Sequence, residues 1–170
     1  MRHRNGMRYR KTALLCVRGL RPGKDKKRCC MEQYPHIKKP PVSEADWFNA
    51  LAQLARYLRG PEGCPWDRKQ TAKSFASYLQ EEVEEFQEAL RDSESDHIEE
   101  EFGDVLFCLL ATAAAAEDEG RFSLRKALQS AHEKMIRRHE HVFGDERADS
   151  PEAAMDSWNR IKAQEKKRLK

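Results

Sequence analysis

The sequence predicts an all-α protein, and three features of the chain support this prediction. Apolar residues recur at helical spacing, most clearly in a stripe that runs from Phe75 to Leu90. No segment alternates polar and apolar residues in the manner of a half-buried strand. Serine, proline and glycine stand where such helices would begin and end. We therefore expect helices joined by short loops, without an internal repeat.

The first two predicted helices are separated by a loop rich in proline and glycine. The segment Ser43-Glu-Ala-Asp46 resembles a capping box and marks the start of the first helix. Residues 60–67 contain two prolines and two glycines, a composition that ends this helix. A second helix is then expected from about Ala72 to Arg91.

The later helices are predicted from the residues at their ends. A third helix is expected over residues 96–119, because Gly120 is suited to the left-handed conformation that ends many helices. Ser123 is expected to cap a fourth helix that reaches about His139. Ser150 followed by Pro151 is typical of an N-cap with proline at the first helical position, and it opens the last helix.

Basic and acidic residues are divided unequally along the chain. Residues 1–41 hold 13 of the 32 Lys and Arg residues and two of the 29 Asp and Glu residues, a local net charge of +11. We therefore divide the chain into a basic extension, 1–41, expected to be disordered, and a folded domain, 42–170. Three interpretations of the extension remain open: a disordered tail, a nucleic-acid-binding arm, or a translated leader before a true start at Met31.

Nothing in the sequence predicts a membrane segment or a zinc site. The apolar run 12–17 is shorter than a typical signal-peptide core, and the longer run 102–116 is interrupted by Asp104. The five cysteines form no CxxC pair and no cysteine–histidine set with zinc spacing. We expect a cytoplasmic protein that does not contact membranes.

Carboxylates stand where the helical pattern calls for apolar residues. Glu82 falls inside the apolar stripe of the second helix, and Glu81 and Glu85 lie on its flank. Glu101 and Asp104 are spaced i, i+3 and share a face of the third helix. A carboxylate on a core face is costly unless it is paired or bound to a metal. Two helices with inward carboxylates favour Mg²⁺ or Mn²⁺, and buried ion pairing with Arg or Lys is the alternative.

The third predicted helix is also unusually apolar. The run 102–116 is apolar on every side apart from Asp104. Such a pattern predicts a helix that is buried all round.

Candidate substrate-binding residues lie in the loop and in the last two helices. Lys134 and Arg138 are i, i+4 neighbours suited to gripping polyphosphate oxygens, although charge at a helix C-terminus is the simpler explanation of the pair alone. Trp66 and Trp158, the latter one turn before Lys162, would stack on a base or pack in the core. The pattern leaves both alternatives open.

These residues, in this order, resemble the MazG family of nucleoside triphosphate pyrophosphohydrolases over about residues 44–168. The matching motifs are Gly63-Cys-Pro-Trp-Asp67 with Gln70-Thr71, Glu81-Glu82-x-x-Glu85, Glu101-x-x-Asp104, Glu119-Gly-Arg-Phe122, Lys134-x-x-Arg-Arg-His139 with His141-Val-Phe143, and Trp158-x-x-Ile-Lys162. The resemblance implies an all-α fold of the MazG and dimeric dUTPase type, with a four-helix core and an extra C-terminal helix. It also implies a homodimer.

The resemblance further implies an activity and a set of site residues. The implied activity is Mg²⁺-dependent cleavage of an NTP or dNTP to the monophosphate and pyrophosphate, with Mn²⁺ as a possible substitute ion and nucleotide-pool housecleaning as the expected role. The implied metal ligands are Glu82, Glu85, Glu101 and Asp104. Glu81 and Glu82 are the expected catalytic carboxylates, and the expected substrate contacts are Lys134, Arg138, Trp158, Lys162 and Trp66.

Two positions depart from the family pattern, and one alternative function remains. Glu140 stands where a proline is expected between His139 and His141, and His97 stands near the position of a phosphate-binding lysine. The alternative is a non-catalytic, dimeric helical scaffold whose basic tail binds nucleic acid. That alternative predicts salt-sensitive binding that depends on residues 1–41.

Overall fold

The computed structural model of the chain describes residues 40–92 and 95–168, and helices dominate both ranges. The helices in chain order are α1 (Glu44–Arg59), α2 (Pro65–Lys69), α3 (Ala72–Asp92), α4 (Ser95–Asp118), α5 (Leu124–Arg138), α6 (Glu140–Phe143) and α7 (Pro151–Arg168). These described ranges contain no strand, so the predicted all-α class is confirmed. The short helices α2 and α6 are additions to the predicted set.

The helix ends follow the local rules that predicted them. Ser43 caps α1 in a full capping box, in which its hydroxyl accepts from the Asp46 amide while the Asp46 carboxylate accepts from the Ser43 amide. Ser123 accepts from the Lys126 amide at the start of α5. Gly120 has a φ of +67°, the left-handed conformation in which glycine carries no steric cost.

The centre of the fold is a hairpin of the two longest helices, α3 and α4, with α1 packed against α4. The buried residues at their contacts are mainly alanines, which let helix backbones approach closely. One buried cluster joins Ala72, Phe75, Ala111, Ala115 and Ala116, and the other joins Ala52, Ala55, Leu110 and Ala114. The core therefore lies around the second half of α4, with one cluster toward α3 and the other toward α1.

Three acidic residues at the end of α4 connect the surrounding helices. Glu117 accepts from the Leu124 amide at the start of α5, at 2.8 Å. Glu119 accepts from the Ala72 amide at the start of α3, also at 2.8 Å. Asp118 pairs with Arg59 of α1, with 2.7 Å between Oδ2 and Nε. This junction joins the C-terminal end of α4 to α1, α3 and α5.

The expectation that the third helix is buried all round holds for the end of its second half, where residues 113–116 are all buried, and is wrong for its first half. Phe102 and Leu109 of α4 are 57% and 48% exposed, and Asp104 is also exposed. The apolar stripe of α3 is likewise buried only in part, because Leu90 at its end is 56% exposed. The physical reason is that the neighbouring helices enclose the second half of α4 more completely than the first. Phe102 touches α3 through an edge contact with Phe86, at 5.9 Å between ring centroids, and it stays more than half exposed.

The C-terminal helices form a separate contact. Helix α7 packs against α5 and α6, and of these helices only α5 also contacts α4. In the described ranges, no helix is both long enough and apolar enough to cross a bilayer. The predicted basic extension, with Cys16, Cys29, Cys30 and Met31, falls on residues outside the described ranges apart from Pro40 and Pro41.

Candidate functional site

The α3–α4 hairpin brings the five predicted carboxylates to similar positions along the axes of the two helices. Glu81, Glu82 and Glu85 lie in the second half of α3, and Glu101 and Asp104 lie near the start of α4. Because the chain reverses between these helices after only two residues, positions equally far from the turn face each other. The hairpin therefore converts two separate motifs into one cluster.

Three of these carboxylates converge closely enough to share one ion. Glu82, Glu85 and Glu101 each offer an oxygen, and these oxygens all lie within 4.8 Å of one another. Glu101 is the most enclosed of the three, with 3% of the residue exposed, while Glu82 and Glu85 are half-buried. Asp104 and Glu81 are exposed beside this trio. The structure thus separates an inner set of three carboxylates from two flanking ones.

The electrostatics of Glu82 reflect this crowding. Burial, and then the negative charges of Asp104, Glu85, Glu101 and Glu81, raise the pKa of Glu82 from 4.5 to about 7. The metal-free cluster consequently holds a proton more tightly than isolated carboxylates would.

The donor set fits a hard divalent cation. Carboxylate oxygens are the ligands that Mg²⁺ and Mn²⁺ prefer, and three of them at this spacing repel one another without a cation. One ion pair of the trio joins Glu101 to His97, whose Nδ1 lies 3.6 Å from Oε1 of Glu101.

Cys108 is a neighbour of the cluster that sequence reasoning did not single out. It follows Asp104 by four residues on α4 and is 2% exposed. Burial, followed by the charges of Glu82, Asp104 and Glu81, raises the pKa of its thiol to about 12. Its i, i+4 spacing from Asp104 is the sequence feature that could have identified Cys108 as a neighbour of the cluster. The thiol is therefore a neutral, apolar wall of the site.

The predicted phosphate-binding residues lie on the other helix pair. Arg138, at the end of α5, donates to Oε2 of Glu165 on α7 through Nε at 2.9 Å and Nη2 at 2.8 Å. Its guanidinium lies over the Trp158 ring, 5.2 Å from the centroid. Lys134, one turn earlier on α5, is half-buried, and Lys162, one turn after Trp158, is exposed. Sequence reasoning missed Glu165, although its spacing of seven from Trp158 puts both residues on one face of α7.

Trp66 lies in the aromatic part of the core. Its ring meets Phe75 edge-on at 6.0 Å and Tyr78 at 5.5 Å between centroids. The residue is half-buried at the start of α2. Packing thus accounts for Trp66, and its contact with a substrate stays a prediction.

The structure therefore forms two groups of candidate residues. The carboxylates converge on the α3–α4 hairpin, whereas Lys134, Arg138 and Trp158 lie on the contacting helices α5 and α7. Within one chain, these two groups belong to separate helix pairs.

Comparison with known proteins places the same residues in one family. The sequence model described as the MazG nucleotide pyrophosphohydrolase domain matches residues 70–143, a range that includes all five carboxylates, Lys134 and Arg138. The solved structure of a mazG-related protein from Thermotoga maritima superposes with a TM-score of 0.59 at 32% identity. That match covers 68% of this chain and 98% of the other.

Curated relatives are longer than this chain. The nucleoside triphosphate pyrophosphohydrolase/pyrophosphatase MazG of Thermotoga maritima is 44% identical over 123 residues, which are 72% of this chain and 47% of the relative. The uncharacterized protein YabN of Bacillus subtilis is 41% identical over 131 residues, which are 75% of this chain and 27% of the relative. This chain thus spans between a quarter and a half of the length of these relatives. The shared domain and the superposition over nearly the whole length of the solved structure identify the chain as a member of the MazG family.

Proposed function

We propose that this protein hydrolyses nucleoside triphosphates, NTPs or dNTPs, to the monophosphate and pyrophosphate in a Mg²⁺-dependent reaction. The observation that carries the proposal is the convergence of Glu82, Glu85 and Glu101 within 4.8 Å on two helices. The relatives named as nucleoside triphosphate pyrophosphohydrolases support the same reaction. The site is expected to act in nucleotide-pool housecleaning in the cytoplasm, with residues 42–170 as the catalytic domain.

The inner carboxylates are suited to hold the ion. Glu82, Glu85 and Glu101 would bind it, and Asp104 is near enough to Glu82 to complete the set. A bound Mg²⁺, or Mn²⁺ in its place, would supply positive charge to the phosphate oxygens. Because the pKa of Glu82 is raised to about 7, binding of the cation would favour the ionised form of this side chain.

The flanking residues supply the proton transfer and the contacts to the leaving group. Glu81 is exposed beside the trio and would accept a proton from the water that attacks the α-phosphorus, with Glu82 next to it in the chain. Lys134 and Arg138 would stabilise the negative charge of the departing pyrophosphate. Trp158 and Lys162 on α7, and Trp66 in α2, are the candidate contacts to the nucleotide.

A second copy of the chain is expected to complete the site. The carboxylates and the basic residues belong to separate helix pairs within one chain, and Phe102 and Leu109 expose an apolar side of α4. Pairing this side of α4 with another copy would bury it, and would bring the basic helices of one protomer within reach of its partner's carboxylates. A homodimer therefore explains both the exposed apolar face and the divided site.

The deciding experiment is a turnover assay with matched variants. The purified chain with Mg²⁺ is incubated with a panel of canonical and damaged NTPs and dNTPs, and monophosphate and pyrophosphate are quantified. Glu82→Gln is expected to lower turnover by at least about 100-fold, since it removes one ligand of the trio. Glu88→Gln is the matched control, because Glu88 is an exposed residue of the same helix.

Two results of this assay would contradict the proposed function. Turnover of Glu82→Gln equal to that of the unchanged chain would overturn the proposal. Lack of turnover on the whole panel, together with salt-sensitive nucleic-acid binding that is lost on deletion of residues 1–41, would instead favour the non-catalytic scaffold.

A further inference from the structure

Arg138 is held along one edge of its guanidinium and left open along the other. Its Nε and Nη2 both donate to Oε2 of Glu165, at 2.9 and 2.8 Å. Its third nitrogen, Nη1, donates no hydrogen bond to another group in the described ranges. The guanidinium plane is further restrained by the Trp158 ring, 5.2 Å away. A flexible side chain is thereby reduced to one orientation with one free donor edge.

Glu165 is itself constrained by a second arginine. Its other oxygen, Oε1, accepts from Nε and Nη2 of Arg137, both at 3.2 Å. The hydrogen bonds from Arg138 are the leading cause of a pKa of Glu165 below its ordinary value. Two guanidiniums around one carboxylate leave the group with a net positive charge, so it still attracts an anion.

The ion pair between Arg138 and Glu165 is well shielded from water. The side chain of Arg138 is 16% exposed and that of Glu165 is 21% exposed, whereas that of Arg137 is 55% exposed. Screening by solvent is therefore weaker for the bond between Arg138 and Glu165 than for an ordinary surface pair.

We propose that Glu165 is a positioning residue, which fixes the Arg138 guanidinium against Trp158 so that Nη1 is presented to the phosphates of a nucleoside triphosphate. This inference rests on the proposed function, because it assigns a partner to the arginine expected to contact the leaving pyrophosphate. An arginine ordered before the substrate arrives loses less conformational freedom when the substrate binds and reacts. Glu165 would act through Arg138 and would not itself contact the substrate.

A competing role for Glu165 makes the opposite prediction. If the carboxylate occupied the place of a phosphate, removal of its charge would release Arg138 and improve substrate binding. The described geometry favours positioning, because Glu165 uses the Nε edge and leaves Nη1 unoccupied. The two roles therefore predict changes of opposite sign in kcat/KM when the charge of Glu165 is removed.

The experiment compares Glu165→Gln with Glu146→Gln in the full chain. Glu146 is a matched control, since it lies in the loop before α7 and accepts from Arg160 and from the Ser157 hydroxyl, while its described hydrogen bonds do not involve Arg138. Steady-state kcat and KM for the best triphosphate are measured with Mg²⁺, and Tm is measured for each variant. Glu165→Gln is expected to lower kcat/KM about tenfold, with kcat carrying the larger part, whereas Glu146→Gln changes it less than about twofold.

A readout independent of turnover separates this inference from the proposed function. The Nε–H resonance of Arg138 is followed by NMR, and a slowly exchanging signal in the unchanged chain should be lost in Glu165→Gln and kept in Glu146→Gln. A chain that turns over no triphosphate would overturn the proposed function, and the NMR comparison would still report whether Glu165 orders Arg138. A fall in KM, or a lowered Tm with unchanged kcat and KM, would overturn the positioning role.

Discussion

Glu82 of α3 and Glu101 of α4 lie opposite each other in the helical hairpin, and each offers a carboxylate oxygen within 4.8 Å of the other. They are separated by 18 residues that include the reversal of the chain. Like charges at this distance repel, and Glu101 is almost fully enclosed. The hairpin therefore stores an unfavourable interaction that a divalent cation would relieve, and this has measurable consequences.

The first consequence is a pH-dependent stability of the metal-free chain. The pKa of Glu82 is about 7 in the folded chain, against an ordinary value of 4.5. The folded state thus holds a proton that the unfolded state has released, so this group's contribution to stability is complete below about pH 4.5 and is lost as the pH rises through about 7. We expect urea denaturation in EDTA to give a lower free energy of unfolding at about pH 8 than at about pH 5.5. Glu82→Gln should reduce this difference, and an undiminished difference in that variant would contradict the assignment to Glu82.

The second consequence is a thermal response to Mg²⁺ that depends on the trio. Only the folded chain brings the three carboxylates together, so the ion should stabilise it, by about 5–10 °C in Tm when Mg²⁺ exceeds its Kd about 100-fold. Glu82→Gln should remove most of this response, while its Tm in EDTA at about pH 8 is equal to or above that of the unchanged chain, because a repelling charge is gone. The exposed Glu88→Gln variant provides the reference. A full Mg²⁺ response in Glu82→Gln would show that the ion binds elsewhere.

Arg59 should contribute more to stability than its neighbour Arg56. Its side chain is 9% exposed and donates to the carbonyl oxygens of Asp67 at 2.7 Å and Gln70 at 3.0 Å, besides pairing with Asp118. Arg59→Met leaves these acceptors without their donor and should lower the free energy of unfolding by about 3 kcal/mol. Arg56→Met, at a side chain that is 46% exposed, should cost about 1 kcal/mol or less. Equal losses of unfolding free energy in the two variants, measured by chemical denaturation, would show that burial of Arg59 does not increase its contribution to stability.

Two glycines should respond in opposite directions to substitution by alanine. A Cβ at Gly63 would lie 2.3 Å from the carbonyl oxygens of Tyr57 and Leu58, so Gly63→Ala forces the loop before α2 to shift and should destabilise the chain. A Cβ at Gly103, inside α4, would meet nothing within 4 Å. Gly103→Ala should therefore stabilise the monomer by about 0.5–1 kcal/mol through a better helix propensity.

The same glycine pair also tests the proposed dimer. Gly103 follows Phe102 directly in α4 and so borders the apolar side, with Phe102 and Leu109, that a second copy would cover. The two variants are measured by chemical denaturation below and above the concentration at which light scattering detects a dimer. Stabilisation by Gly103→Ala that persists unchanged in the dimer would show that this part of α4 stays uncovered.

Local chemistry accounts for what could be predicted of the fold. Helix ends depend on residues three or four positions apart, such as Ser43 with Asp46, and the same short spacing groups Glu101 with Asp104. The all-α class and the membership of both carboxylate motifs in helices follow from such spacing. The exposed side of α4 did not follow from it, because an apolar run does not reveal how many neighbours the helix has.

The sequence by itself determined the helices, their caps and the types of residue available for a metal and a phosphate. The tertiary structure decided which of them meet. It selected Glu82, Glu85 and Glu101 as the inner trio, set Asp104 and Glu81 beside it, and joined Arg138 to Glu165 across 27 residues of chain. The physical reason is range: capping and helical periodicity act over a single turn, whereas these contacts depend on how whole helices pack against one another.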